Sequence, residues 1–194
     1  MLKMWYAWKN VSIQMKQNTY IFLLVFTLIT TLACQRDDIC AESIETTPLL
    51  IIRFYDIEEP DELKDPQNLS IRATDSTSFV INTGSGTPVE YFRFSRDSVA
   101  IPLKTSADLT EYVFTLNTDP NDSTATNSGL RDTINFTYGR QEEYINRACA
   151  YKVSYVGLKV DVDGGANGPN WIQDIQIDEP NVDDQNQAHV SIFF

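Results

Sequence analysis

Few residues of this chain are of a type and spacing to do chemistry. His189 is its only histidine, so any triad or proton shuttle built on imidazole would have to use it. It stands out of phase with Val190, Ile192 and Phe194, which predicts an outward-facing place on a last strand, and no nucleophile elbow accompanies it. Glu142-Glu143 offers two carboxyls of the kind that cleave glycosidic bonds, but adjacent residues point to different sides of a strand or a helix. A solvated face is therefore expected there. Asp161, Asp163 and Asn167 set oxygen donors at alternate positions of DVDGGAN, as calcium loops do, with Asp183-Asp184 as further donors if the fold brings them near. The run departs from the EF-hand pattern at its fifth, sixth and twelfth positions, which are Gly165, Ala166 and Ile172, so a hairpin connection is the first expectation. No glycine-rich phosphate loop is present and no cofactor is expected.

Cys34 takes its meaning from what precedes it. Residues 20–33 (YIFLLVFTLITTLA) form an uncharged run of the length of a signal-peptide h-region, short of the ~20 residues that span a bilayer. Lys16 supplies the positive flank. Met15 is the more natural start of such a leader, because residues 1–14 add nothing to export. Leu32-Ala33-Cys34 resembles the lipobox of bacterial lipoproteins, with Thr31 in place of the usual Leu and Leu32 larger than the norm. The resemblance implies cleavage after Ala33, lipidation of Cys34 and stable anchorage through several acyl chains. Gln35, Arg36, Asp37 and Asp38 are similar to the short acidic export signals of Bacteroidetes lipoproteins, which implies an outer-membrane, surface-exposed location; a plain solvated tether is the other reading. The organisation expected is a signal peptide over 1–33, a lipidated tether over 34–46 and a β domain over 47–194.

Charge and the remaining cysteines narrow the classes. The formal net charge is -12, and three lysines lie in a leader without acidic residues, so the mature chain holds 12 basic and 27 acidic residues. Such a surface repels phosphate backbones and anionic lipid, which argues against nucleic-acid partners and against electrostatic adsorption to membranes. With Cys34 acylated, Cys40 and Cys149 remain as a pair for which an oxidising compartment favours a disulfide, closing a loop of about 110 residues for about 4 to 5 kcal/mol in the chain-entropy account. Free buried thiols or a redox pair are the alternatives.

The elements that must position these residues read as strands. Alternation of apolar and polar residues, rich in β-branched and aromatic types, predicts strands over 48–55, 68–73, 78–82, 89–95, 111–117, 132–138, 149–160, 171–177 and 188–194. Tyr112, Phe114 and Leu116 share one face of their strand, and Ile134, Phe136 and Tyr138 share one face of theirs. Breakers mark a turn at 83–88 and polar loops over 118–129 and 163–170, and residues 140–147 read as a helical turn. About nine strands at this spacing predict one all-β domain, an antiparallel β-sandwich or a small barrel-like fold. The ending AHVSIFF resembles the last strand of an outer-membrane barrel, but the strands are expected to be shorter than the ~9 to 11 residues a spanning barrel needs.

Three segments carry a family resemblance. Cys40 with Thr47-Pro48-Leu49-Leu50-Ile51-Ile52-Arg53-Phe54-Tyr55-Asp56, then Gly139-Arg140-Gln141-Glu142-Glu143-Tyr144-Ile145 followed by Arg147-Ala148-Cys149, and Ala188-His189-Val190-Ser191-Ile192-Phe193-Phe194 look like the Bacteroidetes lipoprotein family DUF6452. The resemblance extends over residues 34–194. It implies an envelope location and a single β domain, supplies no activity, and makes an outer-membrane β-barrel protein the implied partner. Two function classes follow: a non-enzymatic binding module using loops and exposed aromatics such as Trp171, or a carboxylate-based hydrolase of envelope glycan.

Overall fold

A computed structural model describes residues 40, 47–82, 88–166 and 168–194. The expected leader, Cys34, the Gln35 to Asp38 signal and the turn residues 83–87 lie outside the described residues. Among those described there is no helix, and the strands are β1 Leu50–Tyr55, β2 Ser70–Ala73, β3 Ile81–Asn82, β4 Val89–Glu90, β5 Ser98–Ile101, β6 Leu109–Leu116, β7 Leu130–Asn146, β8 Ala150–Ala166, β9 Asp174–Ile177 and β10 Val190–Phe193.

Two four-stranded sheets, in the orders β5-β1-β10-β9 and β2-β6-β7-β8, make an all-β, sandwich-like domain in which neither sheet closes into a barrel; β3 and β4 form a small ribbon. The alternation in the sequence sets the inner faces. Leu50, Ile52 and Phe54 of β1 are fully buried, as are Phe114, Ile134 and Phe136 of β6 and β7. Side chains that alternate with them reach solvent, Arg53 and Thr137 among them.

Three buried tyrosines secure the crossing from β5 to β6. Tyr112, Tyr155 and Tyr138 donate their hydroxyls to the successive carbonyls of Pro102, Leu103 and Lys104, at 2.5, 2.9 and 3.0 Å. Each ring thereby fills the core while its polar tip is satisfied by the chain passing over it. Burial pushes the Tyr155 phenol up to about 12, so these hydroxyls stay protonated donors at any physiological pH.

Four features differ from the sequence reading. β5 was not expected: only Val99 and Ile101 of its four residues turn to the core. The segment expected as a helical turn, residues 140–147, instead prolongs β7 through Asn146 against β8. Cross-strand partners such as Glu143 and Lys152 supply what the polar run lacks in hydrophobic pattern. β7 and β8 are thus 17 residues each, longer than expected of any strand here. Finally, the sheets are not wholly antiparallel, because β1 and β10 pair in parallel with Ile52 opposite Val190.

Candidate functional site

The sheet that contains β7 presents two very different ends. At one end the β6–β7 connection, residues 117–129, is organised around Asp122. Its Oδ2 accepts hydrogen bonds from the Asn127 amide at 2.7 Å, the Ser128 amide at 2.9 Å and the Ser128 hydroxyl at 2.9 Å. Its Oδ1 accepts from the Thr124 hydroxyl at 3.0 Å. Burial alone would raise this carboxyl, but the donors from Asn127, Ser128 and Thr124 outweigh it and hold Asp122 far below the ordinary carboxylate range. It is an ionised, saturated anchor and has no lone pair positioned to act as a base. Asp119 repeats the device on a smaller scale, accepting from the Asn121 amide at 2.7 Å. Gly129 closes the loop at φ +73°, where an added Cβ would stand 2.2 Å from the Leu116 carbonyl oxygen. The result is a fixed surface that offers Pro120, Asn121, Ser123, Thr124 and Asn127 to solvent.

The other end is the hairpin of β7 and β8. Asn146 Oδ1 accepts from the Ala148 amide at 2.9 Å and the Cys149 amide at 2.8 Å, which shapes the turn and sets Cys149 at its tip. Cys40 and Cys149 are disulfide-bonded. Thr47 Oγ1 accepts from the Val153 amide at 3.0 Å, so the chain leading into β1 also lies against this hairpin. Tyr144 and Tyr151 face each other across the ladder with ring centroids 5.3 Å apart. The opposite side of the hairpin is a polar groove of about 490 Å³ lined in part by Glu143, Lys152, Asp183 and Asp184. The Asn186 amide, 2.8 Å from Asp184 Oδ1, holds the Asp184 carboxyl below its ordinary value. At 3.3 to 3.4 Å per residue the long strand separates the hairpin tip from the Asp122 loop by about 50 Å.

Comparison with known proteins reaches only the family level. Residues 68–194 match the family of unknown function DUF6452, about two thirds of the chain. The chain belongs to DUF6452. The matched stretch holds the Asp122 loop, the whole β7–β8 hairpin and the C-terminal strand, whereas β1 and Cys40 precede it. No curated protein and no solved structure matches the chain.

In this DUF6452 domain several residues singled out by the sequence stand elsewhere than expected. His189 is 1% exposed and not outward-facing. The Asp178 and Glu179 amides both donate to the His189 carbonyl. The His189 ring accepts at Nδ1 from the Ile51 amide at 3.0 Å, while its own amide donates to the Ile51 carbonyl at 2.9 Å. Burial lowers its pKa, against the opposing pull of the Asp184, Glu179 and Asp183 carboxylates, so it is a neutral clamp on β1. Trp171 is likewise buried, at 5% exposure; its Nε1 donates to the Phe114 carbonyl at 3.2 Å and its ring meets Phe194 edge-on. It cannot serve as the exposed docking aromatic.

Asp161 and Asp163 lie on β8 and not in a connection, since β8 runs on to Ala166 opposite Arg131. Asp163 Oδ2 accepts from Asn135 Nδ2 at 2.7 Å, and Asn167 is outside the described residues. Among the described residues no group of three or more His, Cys, Asp or Glu could hold a metal. Glu142 and Glu143 sit opposite Val153 and Lys152 and point to opposite sides of the hairpin, as their adjacency implies. Two buried carboxylates escaped the sequence reading. One is Asp122, signalled only by the Asp-x-Thr spacing of an Asx turn. The other is Asp132, whose Oδ2 accepts from the Ile172 amide at 2.9 Å and which burial drives above the ordinary value.

Proposed function

We propose that this protein is an outer-membrane lipoprotein, anchored through Cys34, whose β domain acts by binding as an accessory component of an envelope assembly, without turnover of its own. The observation that carries the reading is the Asp122 loop. It is a polar surface fixed by buried hydrogen bonds, carried on rigid strands at the end of the domain opposite the hairpin that is bonded to Cys40, six residues after Cys34. A recognition surface needs rigidity and exposed donors and acceptors, and it needs no perturbed acid or base. Asp122, the most strongly shifted carboxylate, is committed to structure. An outer-membrane β-barrel protein is the partner suggested by the family resemblance, and the acidity of the chain argues against nucleic acid.

The hydrolase reading rests on Glu143, Asp183 and Asp184 sharing one groove. Its weakness is chemical: an ionised Asp184 could serve as nucleophile or base, but the groove is open and polar and lacks the apolar pocket that a general acid requires.

Two measurements test the proposal. Cys34→Ala should abolish fatty-acid labelling and release the protein from membranes, and unchanged labelling would refute the anchor. Replacing residues 120–127 with a Gly-Ser segment should remove a partner that co-purifies from solubilised membranes. Hydrolysis of envelope glycan that is abolished by Asp184→Asn would overturn binding as the function.

A further inference from the structure

We propose that the tip of the β7–β8 hairpin is seated in the lipid headgroup layer of the membrane that carries Cys34, with Tyr144 and Tyr151 as its interfacial side chains; this rests on the lipid anchor proposed above. Tyr144 and Tyr151 are 57% and 61% exposed, the two most exposed large hydrophobic side chains among the described residues, and they form an edge-on pair. An amphipathic ring with a polar tip is the side chain that settles at a membrane–water boundary, where one end stays wet and the other does not.

Covalent connectivity supplies the occupant. Cys149, at the turn, is disulfide-bonded, as is Cys40, and Cys40 follows the lipid-bearing position by six residues. Six residues reach at most about 22 Å when fully extended and the disulfide adds about 6 Å, so the tip cannot withdraw more than about 28 Å from an acylated Cys34. The Thr47 hydroxyl on the Val153 amide brings the entering chain to the same hairpin by a second, independent contact.

Charge points the same way. Residues 139–156 contain three basic side chains, Arg140, Arg147 and Lys152, against Glu142 and Glu143. The remaining residues of 47–194 hold 8 basic and 21 acidic side chains. Arg140 is paired with Asp108, and Asp183 and Asp184 stand in the groove beside Lys152, so it is the tip beyond them, with Arg147, that is least repelled by anionic lipid in this acidic domain. Glu142 and Glu143 and the paired ladder keep it at headgroup depth and out of the hydrocarbon.

The test uses the lipidated full-length mature protein in vesicles of phosphatidylethanolamine and phosphatidylglycerol, with acyl chains plain or brominated near the headgroup. Tyr144→Trp should lose about half of its added emission on the brominated lipid, as an indole at the interface would, while the wild-type signal from buried Trp171 stays unchanged. A Gly-Ser insert of about 20 residues between Asp38 and Ile39 lengthens the tether by roughly 25 Å without touching the domain, and it should reduce that quenching. Mass spectrometry of the Cys34 peptide separates the two layers of the argument. An unmodified Cys34 removes the anchor and the seating together. An acylated Cys34 with no quenching of the new indole overturns the seating alone. Protection of the indole from iodide in native membranes but not in pure lipid would show a protein covering the tyrosines, and would also overturn it.

Discussion

His189, the only histidine, is one identifiable ring whose titration weakens the domain between neutral and mildly acid pH, whereas Asp132, raised by burial, acts in the opposite sense. Nδ1 of that ring accepts from the Ile51 amide, so a proton cannot be added there without breaking the bond and setting two donors against each other. Burial is the first cause of its lowered pKa; the Asp184, Glu179 and Asp183 carboxylates and the Asp184 backbone act the other way without cancelling it. In the unfolded chain the imidazole titrates at its ordinary 6.5. Below that value the unfolded state takes up a proton that the folded state refuses, so the contribution of His189 is complete above the unfolded pKa and declines as pH falls through and below it. Losing a bond of this kind costs about 1 to 3 kcal/mol, so with the nearby carboxylates offsetting part of the loss the domain is expected to be less stable at about pH 5 than at about pH 7.5. Urea unfolding followed by Trp171 fluorescence at the two pH values reads this directly. His189→Phe should be less stable at neutral pH by about 1 to 3 kcal/mol, since the Ile51 amide is left unpaired, and should lose most of the pH dependence. Equal acid sensitivity in the variant and the wild type would refute the assignment.

Asp122 acts in a lower window: its depressed pKa means its contribution is present above the ordinary 3.8 and is lost as pH falls below it. Asp122→Ala should cost about 2 to 3 kcal/mol at neutral pH and speed hydrogen exchange at the Asn127 and Ser128 amides, and unchanged exchange there would contradict the anchor. Gly129 and Gly157 both have positive φ, +73° and +64°, but only at Gly129 would a Cβ strike backbone, whereas nothing lies within 4 Å at Gly157. Gly129→Ala should therefore destabilise by more than about 2 kcal/mol and Gly157→Ala by only about 1 kcal/mol in thermal unfolding, and equal effects would show that space is not what decides.

The strands that bury one clean face were legible. Tyr112, Phe114 and Leu116, and Ile134, Phe136 and Tyr138, lie in the core as their alternation implies, because in a half-buried strand the pattern is the structure. Where pairing rather than burial makes the strand, the pattern fails. The outer part of β7 is Arg140-Gln141-Glu142-Glu143-Tyr144, extended only because β8 runs beside it. His189 shows a different failure: alternation about Val190 predicts an outward-facing ring, and the ring is instead buried against Ile51, 138 residues away, a contact alternation does not reveal. Trp171 was misplaced for a similar reason, since its bond partner, the Phe114 carbonyl, is 57 residues away. Of the candidate site, the loop over 118–129 was visible from its breakers. Its organiser was not, because one Asp among many carries no sign of the donors that converge on it.

The parallel pairing of β1 with β10 fixes the order in which this molecule can become itself. Ile51 and His189 are 138 residues apart, and β10 is the strand that joins β1 to β9. While the chain is still emerging, β1 has only β5 beside it and one open edge. The sheet therefore cannot close until β10 has been made, and a chain with such distant contacts folds slowly. Loss of the four residues Val190–Phe193 would divide the sheet β5-β1-β10-β9 into two pieces. A copy without those residues keeps the sheet β2-β6-β7-β8 but leaves β1 and β9 with open edges, where cleavage and edge-to-edge pairing would begin.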